Sequence, residues 1–320
     1  MVNSSEVSHF TLGAYFDTGP LRWLYFVLTL SVYVLILLSN LLLIVVICWN
    51  RTLHEPMYIF LCSLFMNEIY GSTALFPLSN IFTFLLHQTL KDVHTVSVAH
   101  CFLQLFCLYT YANVELFNLA VMSYDRYVAI CHPLQYRAII TMNKAALMVG
   151  LIWVYSFTRC LITISISLQL TLCSNFIDNL FCHNYLIVRL ACSDTQVNNI
   201  YGYVGTTLSL ILPLLPIFFS YTCILRVALG RPQRGQKAIH TCIPHIVSLL
   251  NFALGSFLEI VQTRFQISSV PMRILLPLYL TMLQPVLNPL MYGLKTSAIR
   301  RASKHELKKM VVHGVDSKQV

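Results

Sequence analysis

Two adjacent residues of opposite charge, Asp125 and Arg126, stand directly after a long apolar stretch of the chain. That stretch, residues 98–122, is long enough to cross a bilayer as one helix. Ionised side chains are costly inside hydrocarbon, so we expect the pair at the cytoplasmic edge of the membrane. There the two charges could form an ion pair that breaks and reforms as the helix ends move. A static ion pair at a helix terminus is the simpler interpretation.

A second pair of charged residues, Glu68 and Glu115, lies in the middle of apolar stretches rather than at their ends. Carboxyl groups at such depth are costly and usually face a polar interior. Asn40, Gln284 and Asn288 lie at a similar depth in other apolar stretches. The sequence therefore predicts a polar cluster inside the bundle of helices that must hold these residues.

The elements that position these residues follow from composition and from the length of the apolar runs. Of the 320 residues, 57% are hydrophobic and only 10% are charged, whereas roughly a quarter are charged in a soluble domain. Apolar runs of about 20 residues, enough to span a bilayer, occur seven times: 25–49, 57–86, 98–122, 144–168, 200–227, 238–262 and 272–294. The predicted fold is an all-α membrane protein, a seven-transmembrane helix bundle.

The lysine and arginine positions predict how the bundle is oriented in the membrane. With the amino terminus outside, only six of the 21 basic residues lie on the outer side or in outer helix halves, as the positive-inside rule requires. The net charge of +9 therefore follows membrane sidedness and does not indicate a nucleic-acid partner. We predict one domain over residues 1–320, with 1–24 as extracellular tail, 25–294 as helical bundle and 295–320 as cytoplasmic tail.

Two shorter features belong to the tails. Asn3 begins an Asn-x-Ser sequon in the outer tail and is the predicted glycosylation site. Residues 296–309 mix basic and apolar side chains, which predicts a short amphipathic eighth helix on the inner leaflet.

Four of the eleven cysteines lie near the predicted outer face: Cys101, Cys173, Cys182 and Cys192. An even number in an oxidising compartment indicates disulfide bonds. Four cysteines allow three pairings, and the residues alone leave all three open.

Five strings along the chain carry a resemblance to a known family: residues 53–58, 122–136, 220–221, 237–242 and 285–292. In order and at matching depths, they resemble the signatures of odorant receptors, a branch of the rhodopsin-like G-protein-coupled receptors. The resemblance implies a receptor in the plasma membrane of sensory-neuron cilia. It would bind a small-molecule odorant in the outer half of the bundle and activate a heterotrimeric G protein of the olfactory stimulatory type at the cytoplasmic face.

Two strings depart from the family pattern. The second helix reads Leu64-Phe65-Met66-Asn67-Glu68 where Leu-Ser-x-x-Asp is usual, and the sixth reads Phe252-Ala253-Leu254 where Phe-Tyr-Gly is usual. The departures favour a divergent subfamily, such as the fish-like branch, over a different fold.

The resemblance also implies roles for particular residues. It pairs Cys101 with Cys182 and Cys173 with Cys192. Activation and coupling fall to a set in the inner half of the bundle: Asp125, Arg126, Tyr127, Tyr221, Asn288, Pro289 and Tyr292. The ligand pocket falls to a set in the outer half: Leu108, Tyr109, Ala112, Asn113, Thr206, Thr207, Ile260, Thr263 and Arg264.

The family geometry brings the helices of Glu68 and Glu115 together, with Asn288 beside them. The two acids could then share a sodium ion or a proton, either of which relieves the repulsion between like charges. A hard cation needs oxygen ligands, which Glu68, Glu115 and Asn288 could supply, so we expect sodium as an allosteric modulator and no other cofactor. Two protonated, hydrogen-bonded carboxyls with a purely structural role are the alternative.

Arg264 suggests the chemistry of the ligand. It follows the sixth apolar run near its outer end, and a guanidinium suits two-point recognition of a carboxylate. We therefore expect a carboxylic or amino acid as the odorant. The alternatives are an arginine that reaches to the lipid interface or one that pairs with Glu259.

Other classes of function find less support in the sequence. The chain has no glycine-rich phosphate loop, zinc-spaced cluster or nucleophile elbow, so we do not expect an enzyme. A seven-helix receptor for a non-odorant ligand is one alternative. An ion-conducting transporter with Glu68 and Glu115 in its path is another, but transporters often show internal repeats, and this sequence has none.

Overall fold

The computed structural model describes residues 7–13, 22–74, 94–230, 232–265, 279–296 and 298–302. Several predictions fall partly or wholly outside these ranges. They concern the glycosylation site at Asn3, the ends of the second and seventh apolar runs, and most of the cytoplasmic tail.

Seven main helices run through the described residues: α1 (Arg22–Trp49), α2 (Pro56–Ala74), α3 (Val98–Cys131), α4 (Met142–Ser167), α5 (Gln196–Gly230), α6 (Pro232–Phe265) and α7 (Gln284–Lys295). A π-helical turn, Tyr279–Leu283, leads into α7. Shorter helical pieces are a 3₁₀ turn at Arg51–Leu53 and the helices Tyr136–Ile139 and Asn184–Arg189. By length and composition, α1, α3, α4, α5 and α6 each contain a segment able to cross a membrane, within the described residues.

The helices bury polar side chains and turn apolar ones outward, the reverse of a water-soluble protein. Asn40, Asn67, Glu68, Glu115 and Asn118 are completely buried. The outward faces carry large apolar residues that are more than half exposed, among them Leu38, Leu151, Leu215 and Phe218. Such a distribution suits a lipid surrounding, in which polar groups must be satisfied inside the protein.

Helix α3 continues about two turns beyond the predicted run, to Cys131 instead of residue 122. The charges of Asp125 and Arg126 neutralise each other within this extension, so they do not end the helix. It ends at Cys131 because the next residue, His132, directly precedes Pro133, and a residue that precedes proline is disfavoured in the α conformation. At its start, the Ser97 hydroxyl accepts a hydrogen bond of 3.3 Å from the backbone N–H of His100.

One end of the bundle, predicted to face outward and here called the outer end, is covered by a three-stranded sheet in the order β2-β1-β3. The amino-terminal strand β1 (His9–Leu12) is the central strand, antiparallel to β2 (Thr95–Ser97) and parallel to β3 (Phe176–Ile177). Phe10 and Leu12 of β1 are buried in a cluster with residues of α3 and of the loop between α4 and α5, residues 168–195, here called the second outer loop. The amino-terminal segment is therefore part of the cap over the bundle.

Two disulfide bonds hold the second outer loop. Cys101 in the first turn of α3 is bonded to Cys182, and Cys173 is bonded to Cys192 within the loop. The pairing that the family resemblance implied is confirmed. The first bond fixes the loop directly against the outer end of α3.

The opposite end of the bundle has its own apolar cluster, which includes Leu53, Phe65 and Tyr292. Residues 298–302 are helical, and Ile299 and Ala302 are buried in this cluster. The described start of the predicted eighth helix therefore packs against the inner ends of α1, α2 and α7.

Candidate functional site

A cavity of about 260 Å³ lies between α3, α4, α5, α6 and the second outer loop. Eight of the nine predicted pocket residues line it: Leu108, Tyr109, Ala112, Asn113, Thr206, Ile260, Thr263 and Arg264. Thr207 does not, and its side chain is exposed on the outside of α5. Thr206 faces the cavity, and Thr207, about 100° further around α5, faces away from it. Grouping Thr207 with the pocket was wrong.

The cavity is also lined by residues that were not predicted to belong to the pocket. They are Arg159 on α4, Phe181, His183 and Tyr185 from the second outer loop, and a set deeper in the cavity: Tyr111, Leu116, Ser209, Leu210, Phe252 and Ser256. The sequence offered a reason to include Arg159 in the pocket, because it is a charged residue in the outer half of an apolar run. The loop residues had none beyond their closeness to Cys182.

Arg264 lies between two aromatic rings at the outer end of the cavity. Its guanidinium carbon is 4.2 Å from the ring centre of Tyr185 and 4.4 Å from that of Tyr203. Both distances are within the range of cation–π attraction, which holds the cation in place. The Nη1 atom of Arg264 is buried and has no hydrogen-bond partner among the described residues.

Glu259, the acidic residue that lines the cavity, faces a histidine and not Arg264. Its Oε1 atom lies 3.1 Å from Nε2 of His183, although the two atoms are not aligned for a hydrogen bond. The contact is an ion pair only when His183 is protonated. The predicted alternative of an Arg264–Glu259 pair therefore does not occur in the described residues.

The second outer loop is held over the cavity by polar contacts with α3. The backbone N–H of Cys182 donates to Oε1 of Gln104 at 3.2 Å. The backbone N–H of Asn184 donates to the Tyr109 hydroxyl, also at 3.2 Å. Together with the Cys101–Cys182 disulfide, these hydrogen bonds hold the loop in place over the cavity.

Deeper in the bundle, the structure brings Glu68, Glu115 and Asn288 together as the sequence analysis expected. The Asn288 amide group donates to Oε1 of Glu115 at 3.0 Å and also to Oε1 of Glu68. Its own oxygen accepts a hydrogen bond of 2.6 Å from Ser248. Asn288 therefore links both carboxyls on α2 and α3 to α6.

Other donors surround the two carboxyls. Asn67 donates to Oε2 of Glu115 at 3.0 Å, Gln284 to its Oε1 at 3.1 Å, and the Tyr111 hydroxyl to Oε2 of Glu68 at 3.0 Å. Tyr111 was not expected in this cluster, although its position four residues before Glu115 places it on the same face of α3. The buried acids are thus satisfied by neutral donors from α2, α3 and α7.

At the inner end of α3, Asp125 is completely buried and accepts hydrogen bonds from two residues. Nε of Arg126 donates to Oδ2 at 3.0 Å, and the Tyr136 hydroxyl donates to Oδ1 at 2.6 Å. Burial, followed by this bond to Asp125, raises the pKa of Tyr136. The phenol therefore stays protonated near neutral pH and remains a donor.

The other residues predicted to act in coupling lie around this pair in the inner half of the bundle. The Tyr292 hydroxyl is 3.4 Å from Nδ1 of His245 on α6, and Tyr221 packs against the α3–α5–α6 cluster that contains Phe252. The Tyr127 hydroxyl is 3.1 Å from Nε2 of His132. Pro289 is buried within α7.

Comparison with known proteins assigns the chain to a family. The family model described as olfactory receptor matches residues 29–310. The chain belongs to the olfactory receptor family. Among its relatives, olfactory receptor 4B13 of Mus musculus is 33% identical over 94% of this chain and 97% of its own. Olfactory receptor 51E1 of Homo sapiens is 34% identical over 87% of this chain and 86% of its own.

The overall fold of the receptor agrees with that assignment. A crystal structure of squid rhodopsin matches it with a TM-score of 0.71 at 17% sequence identity, over 92% of this chain and 88% of that one. The protein is therefore a multi-pass membrane receptor with the rhodopsin-like seven-helix fold, and not an enzyme. It is an odorant-sensing, G-protein-coupled receptor.

Proposed function

We propose that the receptor responds to small carboxylic or amino acids, which bind in the outer cavity with their carboxylate on Arg264. The observation that carries the proposal is the position of the Arg264 guanidinium and its lack of a hydrogen-bond partner among the described residues. Tyr185 and Tyr203 hold it in place, it lines the cavity, and its buried Nη1 has no partner among the described residues. A buried donor without an acceptor is costly, and a carboxylate would supply the acceptor together with the opposite charge.

Glu259 extends the proposal to amino acids. It lines the same cavity as Arg264, with both carboxyl oxygens buried and no hydrogen-bond donor aligned with them among the described residues. An ammonium group could bind there while the carboxylate binds Arg264. His183 beside Glu259 would compete with the ammonium group only in its protonated form.

The test is the response of cells that express the receptor with an olfactory stimulatory G protein. A panel of short carboxylic acids, amino acids and matched alcohols is applied to the native chain and to Arg264→Gln. We expect at least about a tenfold loss of potency for the acids, because a desolvated charge pair loses a partner. Arg189→Gln is the matched control, since Arg189 is exposed and does not line the cavity. Equal potency of native receptor and Arg264→Gln for every acid rejects the proposal.

We further propose that the cytoplasmic face couples to a heterotrimeric G protein of the olfactory stimulatory type. The support is the arrangement at the inner end of α3, where Asp125 binds both Arg126 and Tyr136. Separation of Arg126 from Asp125 would free a guanidinium at the face that the G protein meets. The G protein shifts the receptor toward this open form only by its greater affinity for that form.

We also propose sodium as an allosteric modulator held by the carboxyl oxygens of Glu68 and Glu115. The two buried carboxyls are hard oxygen ligands and lie together, which suits sodium. Asn288 is not placed as a sodium ligand, because its amide N–H donates to the carboxyls while its oxygen accepts a hydrogen bond from Ser248. The described residues contain no group of three or more His, Cys, Asp or Glu side chains around one point. Asn288 would therefore bridge the carboxyls and not coordinate the ion.

Thermal unfolding of purified receptor in sodium or choline buffer tests this site. Sodium should raise the unfolding temperature of the native receptor but not of Glu115→Gln, which removes one ligand charge. If the native receptor unfolds at the same temperature in both buffers, the two acids share a proton instead.

The remaining proposal concerns place and orientation: the plasma membrane of sensory cilia, with the amino terminus outside. The disulfide-bonded loop and β1 lie at one end of the bundle and the Asp125–Arg126 pair at the other. Disulfides form in oxidising compartments, which supports an outer position for the first end. An epitope at the amino terminus should be stained in intact cells, and one at the carboxyl terminus only after permeabilisation.

A further inference from the structure

A smaller cavity of about 50 Å³ adjoins the ligand cavity on the side of α4 and α5. Both cavities are lined by the same two basic residues, Arg159 of α4 and Arg264 of α6. Tyr109, Tyr185 and Thr206 also belong to both. The two cavities are therefore parts of one site, and two guanidinium groups lie where they meet.

Two glycines of α5 make room for these guanidinium groups. A Cβ atom at Gly205 would lie 2.9 Å from Nη2 of Arg159, and one at Gly202 would lie 3.9 Å from Nη2 of Arg264. Residues three apart lie on the same helix face, with Cβ positions about 5–6 Å apart. The Nη2 atoms of the two arginines are therefore at most about 13 Å apart, along one face of α5.

The two charges have no carboxylate partner within the described part of the chain. The ion pairs there join Arg126 with Asp125 and His183 with Glu259, so neither Arg159 nor Arg264 takes part in one. The Tyr109 hydroxyl lies near enough to both to interact with them electrostatically. It accepts from the N–H of Asn184, and its own proton has no acceptor among the described residues. The junction thus offers two cations and a hydroxyl donor.

We propose that Arg159 is a second anion-binding residue and that the receptor prefers short dicarboxylates over monocarboxylates of equal length. One carboxylate binds Arg264, as in the proposed function on which this inference rests. The other binds Arg159 and accepts the proton of the Tyr109 hydroxyl. A dianion neutralises both guanidinium groups, whereas a monocarboxylate leaves one of them without a counter-charge in a poorly solvated site.

The spacing selects for ligand length. Charge-assisted N–H···O bonds are about 2.7–2.9 Å long, so a ligand that lies on the line between two Nη2 atoms about 13 Å apart has its carboxylate oxygens about 7 Å apart. A dicarboxylate of about four to six carbons spans about this distance. Longer diacids would have to fold within the cavity and should be weaker.

The experiment compares pentanoate with glutarate and hexanoate with adipate in cells that express the full chain. The native receptor should respond to each diacid at a concentration at least about ten times lower than to its monoacid. Arg159→Gln should remove this preference by weakening the diacid about tenfold, while the monoacid changes little because Arg264 is intact. Surface staining of each variant confirms that the protein reaches the membrane.

Gly205→Ala provides an independent variant that leaves both arginines in place. Its methyl group would displace the Arg159 guanidinium, so it should also remove the preference for diacids. Gly150→Ala on α4 is the matched control, since a Cβ there meets no atom within 4 Å and the preference should remain.

The results separate this inference from the proposed function. A response to monoacids that depends on Arg264 but shows no preference for diacids overturns the inference and leaves the proposed function intact. An Arg159→Gln variant that weakens monoacids and diacids equally also overturns it. If the native receptor responds to no acid but does respond to another odorant, the proposed function fails and the inference with it.

Discussion

Glu115 is held by three amide groups from two other helices, and this shows how single residues stabilise the interior of the receptor. Asn67 of α2 and Gln284 and Asn288 of α7 all donate to its carboxyl. Each donor is itself completely buried, so none can turn to water if the acceptor is lost. The carboxyl is therefore a structural acceptor as well as a candidate ion ligand.

We predict that Glu115→Leu destabilises the receptor strongly. It leaves one buried N–H of Asn67 and one of Asn288 without an acceptor, each at a cost of about 1–3 kcal/mol, whereas Gln284 still donates to Ser248. Glu115→Gln keeps one acceptor oxygen and should cost less. Thermal unfolding of purified receptor in detergent measures both variants, and Leu103→Ala on the outer face of α3 is the control. Equal unfolding temperatures for Glu115→Leu and Leu103→Ala would contradict the prediction.

At the inner end of α3, Tyr136→Phe should raise signalling in the absence of odorant. The change removes the 2.6 Å bond from the Tyr136 hydroxyl to Asp125, and hydrogen bonds to charged groups contribute about 1.5–3 kcal/mol. Asp125 is then held less firmly beside Arg126, so a severalfold rise in basal cyclic AMP is expected. Tyr124→Phe is the control, since its hydroxyl has no hydrogen bond among the described residues. A basal signal no higher than that of Tyr124→Phe would count against the account.

Among the elements, β1 has an unusual place, because an amino-terminal segment forms the middle strand of the cap. It pairs with β2 on one side and β3 on the other. Phe10 is completely buried beneath this sheet. The strand therefore links the first outer loop to the second above the cavity.

We predict that Phe10→Ala lowers the amount of receptor at the cell surface and the response to odorant. Removal of a buried phenylalanine side chain costs about 3–5 kcal/mol. His9→Ala, at the exposed neighbouring position, should have little effect. Flow cytometry of an epitope-tagged chain measures surface receptor, and similar levels for the two variants would show that the strand does not stabilise the cap.

The two disulfide bonds should differ in their contribution. Cys101–Cys182 spans 81 residues and Cys173–Cys192 spans 19, so the chain-entropy model gives the first about 1 kcal/mol more stabilisation. The first also fixes the loop residues that line the cavity. Replacement of Cys101 and Cys182 by serine should lower the unfolding temperature and the odorant response more than replacement of Cys173 and Cys192. The opposite order would contradict this.

For the molecule as a whole, much of the fold could be predicted because lipid imposes simple rules on sequence. The apolar runs predicted the helices. The resemblance to odorant receptors predicted the disulfide pairs and the coupling residues around Asp125. The ends of the helices were predicted less accurately, since α3 continues past the oppositely charged pair Asp125 and Arg126. A hydropathy scale counts each charged residue as polar and takes no account of their pairing.

The candidate pocket was predictable on the helices and not on the loop. Eight helix positions could be placed from family geometry, whereas Thr207 shows how an error of one residue turns a side chain to the outside. His183 and Tyr185 reach the cavity only because the disulfide and the bonds to Gln104 and Tyr109 bring the loop down. Such contacts depend on tertiary packing and leave no local pattern in the sequence.

We propose that Arg264 recognises the ligand at one end of the receptor and that Arg126 transmits the signal at the other. The most direct test measures acid binding and G-protein nucleotide exchange on the same purified receptor in lipid nanodiscs. We expect Arg264→Gln to lose both, and Arg126→Ala to keep binding while it loses exchange. If Arg264→Gln binds acids like the native receptor, or if Arg126→Ala still drives exchange, the account is wrong.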